Sequence, residues 1–393
     1  MKRTLFAVAT GTLFLCVALC APSWSQETIK FGATYGMTGT MGWIGQDCVD
    51  GARLIIDQVN DKGGIKGKKI ELIEYDSKNN PDTAVTNFQK LLKKDGAIVV
   101  LGPVTTAESL AVLPIAQQNK IPFAVVSGGV EVNDKILPEY KKDGKKCYLW
   151  AMSIGTTRQN EVKTIWLKEK GKKKLAVVEP LNQMGDLSAV TYKEFAKKYG
   201  LEFVAEERFD EKGNDFTPQL SKIKAAGADC IGSMAAGGST VTLVKNRDQV
   251  GMKDVPMTVA DANLSQKFIE LLGENTANVY TVGVKIAFAD RLGDNDPQKK
   301  VIKDFQAAFE KKFSKQPKSW FFAAVGYDSA LMFIKGIEAV GTDGEKIRDW
   351  LEAQSKFPGV QAVYAWNDLD HRGIGVDQAS VMAIQGNDWV PAK

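Results

Sequence analysis

The sequence predicts an α/β protein of two lobes built on parallel strands, and three observations predict it. Residues 29–76, IKFGATYGMTGTMGWIGQDCVDGARLIIDQVNDKGGIKGKKIELIEYD, read as strand, glycine-rich loop, amphipathic helix, turn and second strand, the order in which one parallel strand is wound beside another. Short β-branched runs recur at 29–34, 70–75, 97–101, 121–126, 174–178, 202–206, 229–234 and 256–260, with helical stretches between them. That alternation is expected of parallel strands joined by helical crossovers. The length of 393 residues exceeds one ordinary hydrophobic core and suits two.

The first 25 residues have the form of an export signal. Lys2 and Arg3 precede an apolar core from Leu5 to Leu19, and Ser23 and Ser25 make a small-x-small site, so cleavage is expected after Ser25 and the mature chain outside the cytoplasm, in the periplasm. Leu19 stands before Cys20 where a lipid anchor would need a small residue. No later run reaches the roughly 20 apolar residues of a membrane span; residues 321–337 come nearest and are broken by Gly326, Asp328 and Lys335.

Farther along, Val49, Ala52, Ile55, Ile56 and Val59 lay one apolar stripe on the first helix, and Gly63 with Gly64 stops it. Thr217 and Pro218 have the types of an N-cap and a first-turn residue, and Gly227 ends that helix. Neither a solenoid repeat nor a low-complexity linker divides the halves.

Charge and cysteine usage exclude several functions. Removal of Lys2 and Arg3 lowers the formal net charge from +4 to +2, which gives no general reason for nucleic acid or an acidic lipid surface. The lysine runs at 141–146 and 168–174 lack interleaved aromatics and read as solvated turns. Cys48, Cys147 and Cys230 remain after cleavage, without metal-ligand spacing; one disulfide is possible and a framework is not.

No catalytic machinery is legible. Residues 63–69 have the wrong glycine spacing for a phosphate loop and lead into a strand. Gly36, Gly39 and Gly42 depart from G-x-G-x-x-G, and Asp76 lies too far along for a ribose contact. His371, in NDLDHRG, has no partner serine or cysteine motif and reads as a solvated loop residue. The chain is read as a non-enzyme with no cofactor and no metal.

Binding remains, and the informative places are the loops at strand ends, which meet in a crevice. After the strand ending at Leu101, Gly102-Pro103-Val104-Thr105-Thr106-Ala107-Glu108 should open a helix whose free amides and two hydroxyls suit a carboxylate. Thr105 or Thr106 can equally be an N-cap, and both roles can hold together. The next strand ends in Ser127-Gly128-Gly129, where glycines allow a ligand close to the backbone; an ordinary loop explains it as well.

Residues 36–81, residues 101–123 (LGPVTTAESLAVLPIAQQNKIPF) and residues 215–229 (DFTPQLSKIKAAGAD) together resemble the branched-chain amino acid binding (leucine/isoleucine/valine-binding) type of periplasmic solute-binding protein, which feeds ABC importers. The resemblance implies the type I fold: two doubly wound lobes joined by a three-segment hinge, with crossings expected near Cys147, Gly283 and Gly359. Residues 26–147 and 284–358 would then form lobe 1, and 148–283 and 359–393 lobe 2. It also implies a small-molecule ligand, an inner-membrane ABC permease as partner and a monomeric state.

By position, the carboxylate-holding hydroxyl of that family falls on Thr106, with Thr105 beside it, and its second contact loop on Ser127, Gly128 and Gly129. The first-loop aromatic falls at Trp43 or Ile44, where a core or surface tryptophan is the plainer reading. The acid that faces an ammonium matches Asp261 in VADAN. Two aromatic positions are replaced, by Met184 in NQMGD and near Ala236 in MAAGG, and a cysteine pair found in some members is missing around Asp76 and Thr105. An amino acid is therefore expected first, with aromatic acids, amides and other small carboxylates open. A ligand-sensing module acting on a separate receptor stands as the alternative.

Overall fold

The computed structural model describes residues 28–39, 42–129 and 132–392; the expected export signal and its cleavage point lie outside them. Strands β1 (Ile29–Tyr35), β2 (Ile70–Asp76), β3 (Val99–Leu101), β4 (Phe123–Val125) and β5 (Leu149–Ala151) form one parallel sheet in the order β2-β1-β3-β4-β5. Helices α1 (Gly42–Asp61), α2 (Pro81–Lys90), α3 (Thr106–Asn119) and α4 (Ile136–Lys142) make its crossovers.

The second sheet repeats this winding with β6 (Lys174–Pro180), β7 (Glu202–Phe209), β8 (Cys230–Gly232), β9 (Met257–Thr258) and β10 (Val279–Val284), connected by α6 (Gln183–Tyr199), α7 (Thr217–Ala225), α8 (Gly238–Gln249) and α9 (Gln266–Leu272) after an entry helix α5 (Gly155–Glu169). Helices α10 (Pro297–Phe313), α11 (Trp320–Val340) and α12 (Gly344–Glu352) follow, then a small hairpin of β11 (Phe357–Pro358) and β12 (Val363–Tyr364). The chain ends with β13 (Ala379–Gln385) and β14 (Asp388–Pro391), which extend the second sheet to β14-β13-β10-β9-β8-β6-β7. Both added pairings are antiparallel, so this sheet is mixed.

Strand pairing shows where the chain passes between the two sheets. β5 pairs with β4, so the first sheet continues past Cys147, and the first crossing is residues 152–154. The hairpin near Gly359 stays with the first lobe because Asp328 of α11 holds it. That buried carboxylate accepts from Val360 N, Gln361 N and Tyr364 Oη at 2.7–2.9 Å. The chain joins the second sheet at β13, after residues 374–378. At the second crossing the chain leaves β10 at Val284.

His371 is likewise not a solvated loop residue. It is fully buried, its ring stacked on Trp150 with centroids 3.9 Å apart, and its two nitrogens meet Leu149 O at 2.7 Å and Glu352 Oε1 at 2.8 Å. Thr217 is the first residue of α7, and Phe216 occupies the cap position. Cys48, Cys147 and Cys230 are buried free thiols.

α1 lies directly along α11, and a glycine on each helix allows it. A Cβ on Gly51 would stand 1.9 Å from Ala323 O, and one on Gly326 1.8 Å from Cys48 O. Asp47 of α1 also accepts from Ser319 N at 2.8 Å and Lys318 N at 3.2 Å, completing the open amino end of α11.

Beneath the carboxyl ends of the second sheet lies a buried charged group. Glu179 accepts from Ser188 Oγ at 2.6 Å and Met234 N at 2.8 Å, yet burial outweighs these bonds and pushes its pKa up to about 8. Lys163, fully buried with Nζ 3.2 Å from Met234 Sδ, is pushed down to about 8 by the same cause.

Two predictions follow from this packing. Gly326→Ala should cost on the order of 1–3 kcal/mol of stability, because the added methyl forces the two helices apart; an unchanged urea midpoint would refute the close contact. Between pH 4.5 and about 8 the native Glu179 holds a proton that the unfolded chain has released, so its contribution to stability falls as pH rises through that window. Glu179→Gln should flatten that part of the profile, and urea unfolding at pH 5 and pH 8 that shifts equally in both proteins would contradict it.

Candidate functional site

In both sheets the chain reverses its direction of winding beside the first strand, between β1 and β3 and between β6 and β8. Loops leaving the carboxyl ends diverge there and open a crevice. The segments after β3, β4, β6, β8 and β9 all sit at these ends, and they carry most of the expected site residues.

The two threonines after β3 do different work. Thr105 is the N-cap of α3: its Oγ1 accepts from Glu108 N at 3.2 Å, while Glu108 Oε2 accepts from Thr105 N at 3.1 Å and from its hydroxyl at 2.7 Å. This reciprocal pair is a capping box. Buried Glu108 is also held by Ser77 Oγ at 2.5 Å. Thr106 is left to reach the next loop, its Oγ1 lying 2.5 Å from Ser127 Oγ. Ser127 Oγ in turn accepts from Gly129 N at 3.2 Å.

Thr105, Thr106, Ser127, Gly128 and Gly129 face Met184 across a cavity of about 230 Å³. Gln183 and Leu187, from the same turn of α6, and Thr156, from the start of α5, complete the wall. Asn182 caps α6 by accepting from Gly185 N at 2.9 Å, which sets that turn against the crevice. Both lobes thus contribute to one chamber, with the hydroxyls of Thr105, Thr106 and Ser127 from the first and the apolar side chains of Met184 and Leu187 among those from the second.

Trp43 and Asp261 line a different cavity, of about 190 Å³. Trp43 meets Phe322 edge to face at 5.5 Å, and Phe321, Ile154 and Val282 add apolar surface. Asp261 opens a short turn after β9, and its backbone N donates to Gln159 Oε1 at 3.1 Å. Burial raises its carboxyl pKa, while the Lys163 ammonium works in the opposite sense. Ile154, at the end of the first crossing, and Thr156, at the start of α5, each line one of the two chambers.

Two expected residues are elsewhere. Ile44 is buried in the core, one position past Trp43 on α1, so its side chain leaves on another face. Ala236 is exposed in the turn before α8 and lines neither chamber. Sequence reading missed Thr156, Gln183, Leu187, Phe321 and Phe322. Asn182 preceding a helical pattern was a usable signal for the α6 turn, whereas the position of Phe321 and Phe322 depends on how α11 docks on α1.

The first loop is ordered by Asp76. Its carboxylate accepts from Thr38 Oγ1 at 2.6 Å and from Met37 N and Lys78 N at 2.8 Å. Burial alone would raise its pKa, and these donors reverse the effect. Among the described residues no group of three or more His, Cys, Asp or Glu is placed to hold a metal, and no helix is long and apolar enough to cross a membrane.

Known proteins share this architecture over nearly the full chain. A Leu/Ile/Val-binding protein homolog 7 from Brucella suis is 22% identical over 99% of this chain and 95% of its own. A leucine-, isoleucine-, valine-, threonine- and alanine-binding protein from Pseudomonas aeruginosa is 24% identical over 85% of this chain and 84% of its own. The crystal structure of the branched-chain amino acid transporter substrate binding protein LivJ from Streptococcus pneumoniae, in complex with isoleucine, superposes with a TM-score of 0.71 at 22% identity, covering 93% of this chain and all of that one. The model of the periplasmic binding protein family matches residues 28–387, and the chain belongs to that family.

Proposed function

We propose that this protein is the periplasmic binding component of an ABC importer, capturing a small carboxylate, an amino acid first of all, between its lobes and delivering it to the membrane permease. One observation carries the reading. The Thr106 and Ser127 hydroxyls lie 2.5 Å apart at the opening of α3, facing Met184 and Leu187 of the other lobe. Hydroxyls, helix amides and the positive end of the α3 dipole favour an anion on one side, and the apolar wall opposite favours a hydrocarbon body.

Ligand burial would tie the two lobes together, and the permease would read the closed shape. The protein performs no chemistry on its guest, acts as a monomer and reaches the periplasm by a signal cleaved after Ser25. The names of the relatives from Brucella suis and Pseudomonas aeruginosa support the amino-acid class.

A second reading, an aromatic acid or another carboxylate without an ammonium, is favoured by Asp261. That acid already feels the Lys163 cation and shares its chamber with Trp43, Phe321 and Phe322. Met184, at a position where an aromatic is expected, leaves room in its chamber for a bulkier body.

Thermal-shift screening against amino acids, aromatic acids, amides and sugars separates the readings, because a ligand of the native state raises its melting point. Thr106→Ala should weaken a carboxylate ligand roughly tenfold or more, since a hydrogen bond to a charged group is worth about 1.5–3 kcal/mol. Asp261→Asn should weaken only ligands that carry an ammonium. Calorimetric affinities unchanged in both variants would remove these residues from the site, and stabilisation by sugars alone would overturn the carboxylate class.

A further inference from the structure

A guanidinium stands behind the loop that carries Ser127, Gly128 and Gly129. Arg372 comes from the stretch between β12 and residues 374–378 and is 4% exposed. Its Nη1 donates to Ser153 O at 2.7 Å, to Ser127 O at 3.3 Å and to Ser153 Oγ at 3.4 Å; Nη2 donates to Gly129 O at 3.0 Å. Among the described residues it forms no ion pair with a carboxylate. Asp134 and Asp370 are the acids whose charge reaches it, and Arg158 opposes them.

The surroundings are shaped to accept this side chain. Gly155 has φ +71°, and a Cβ there would stand 2.7 Å from Arg372 Cζ, so both backbone and space require glycine. The remaining loop carbonyl, Gly128 O, accepts from Thr156 N at 3.2 Å. All three carbonyls of residues 127–129 are therefore engaged by protein donors. In a planar trans peptide the N–H points opposite to the C=O. Engaging Ser127 O from behind thus turns the Gly128 amide towards the side where Gly128 lines the chamber.

We propose that Arg372 is a specificity-determining residue of the crevice: it orients the 127–129 loop with its amides towards the ligand and supplies the positive charge that selects a carboxylate over the matching uncharged amide. This rests on the reading of that chamber as an anion site. Burial lowers the guanidinium pKa, yet the group keeps its proton at any physiological pH. Among the described residues the guanidinium's hydrogen bonds go to three carbonyls and one hydroxyl and none to a carboxylate, so part of its field reaches through the thin glycine loop to the Thr106 and Ser127 hydroxyls. Lysine would keep the charge and lose the planar fork that spans three carbonyls.

The test compares acid with amide in the wild-type protein, Arg372→Lys and Arg372→Met, using L-leucine against L-leucinamide and benzoate against benzamide in calorimetry. The ratio of acid to amide affinity should fall at least tenfold in Arg372→Met and recover in part in Arg372→Lys, with far-ultraviolet circular dichroism unchanged. A ratio within twofold of wild type in Arg372→Met overturns the proposal, as does an equal loss for acid and amide, which is the signature of a merely structural role. If Arg372→Met does not fold, the ratio in Arg372→Lys decides: a fall supports the fork and an unchanged ratio refutes it.

Should neither acid bind the wild-type protein, the proposed ligand class fails for these probes, and hydrogen exchange then decides the role of Arg372. Exchange at Gly128 and Gly129 at least tenfold faster in Arg372→Lys than in wild type supports it, and equal rates overturn it.

Discussion

A parallel strand can be extended only by a chain that returns over the face of the sheet, and this constraint governs the molecule. In each lobe the first strand stays inside, the second is laid on one side and the third on the other. The loops beside that reversal must part, and the crevice is the space they leave. The loops after β3, β4, β6 and β9 that line the chambers are placed by this winding, while Phe321 and Phe322 are placed by the docking of α11 on α1. The capping of α3 by Thr105, the loop at Ser127 and the turn of α6 are local solutions to leaving a sheet at its carboxyl end.

The strands were legible in the sequence where they are buried on both faces. Continuous β-branched runs such as residues 97–101 and 174–178 have no other comfortable environment. β5 is not legible in the sequence because it has only three residues and follows a lysine run, and its place in the first sheet is set by its parallel pairing with β4. His371 itself was misread for a related reason. Its sequence neighbours are polar, while its burial is set by Trp150, Leu149 and Glu352, all distant in the chain. The crossings could not be found by local pattern, since Asp328 decides where the last segment leaves the first lobe.

The site was legible to a similar degree. The spacing of Thr105 and Glu108 is that of a capping box, so the separate duties of Thr105 and Thr106 could have been drawn from sequence. The displacement of Ile44 into the core follows from helical geometry once α1 begins at Gly42. The separation of Asp261 from the hydroxyl pair could not be drawn, because chain order says nothing about which chamber a strand end reaches. The lobes also handle charge differently. Behind the first lobe's 127–129 loop a buried cation is satisfied by peptide carbonyls, whereas the second lobe buries Lys163 near Glu179 and Asp261.

The three cysteines have a consequence for the chain's behaviour towards oxidants. Each sulfur is buried, and burial raises every one of these thiol pKa values, Cys147 to about 12. Oxidants and mixed disulfides attack through the thiolate, a form almost unpopulated here at neutral pH. The protein thus needs no covalent staple and offers little foothold for thiol scrambling between molecules, so a single engineered cysteine on either lip would be the one reactive handle for a spectroscopic label among the described residues.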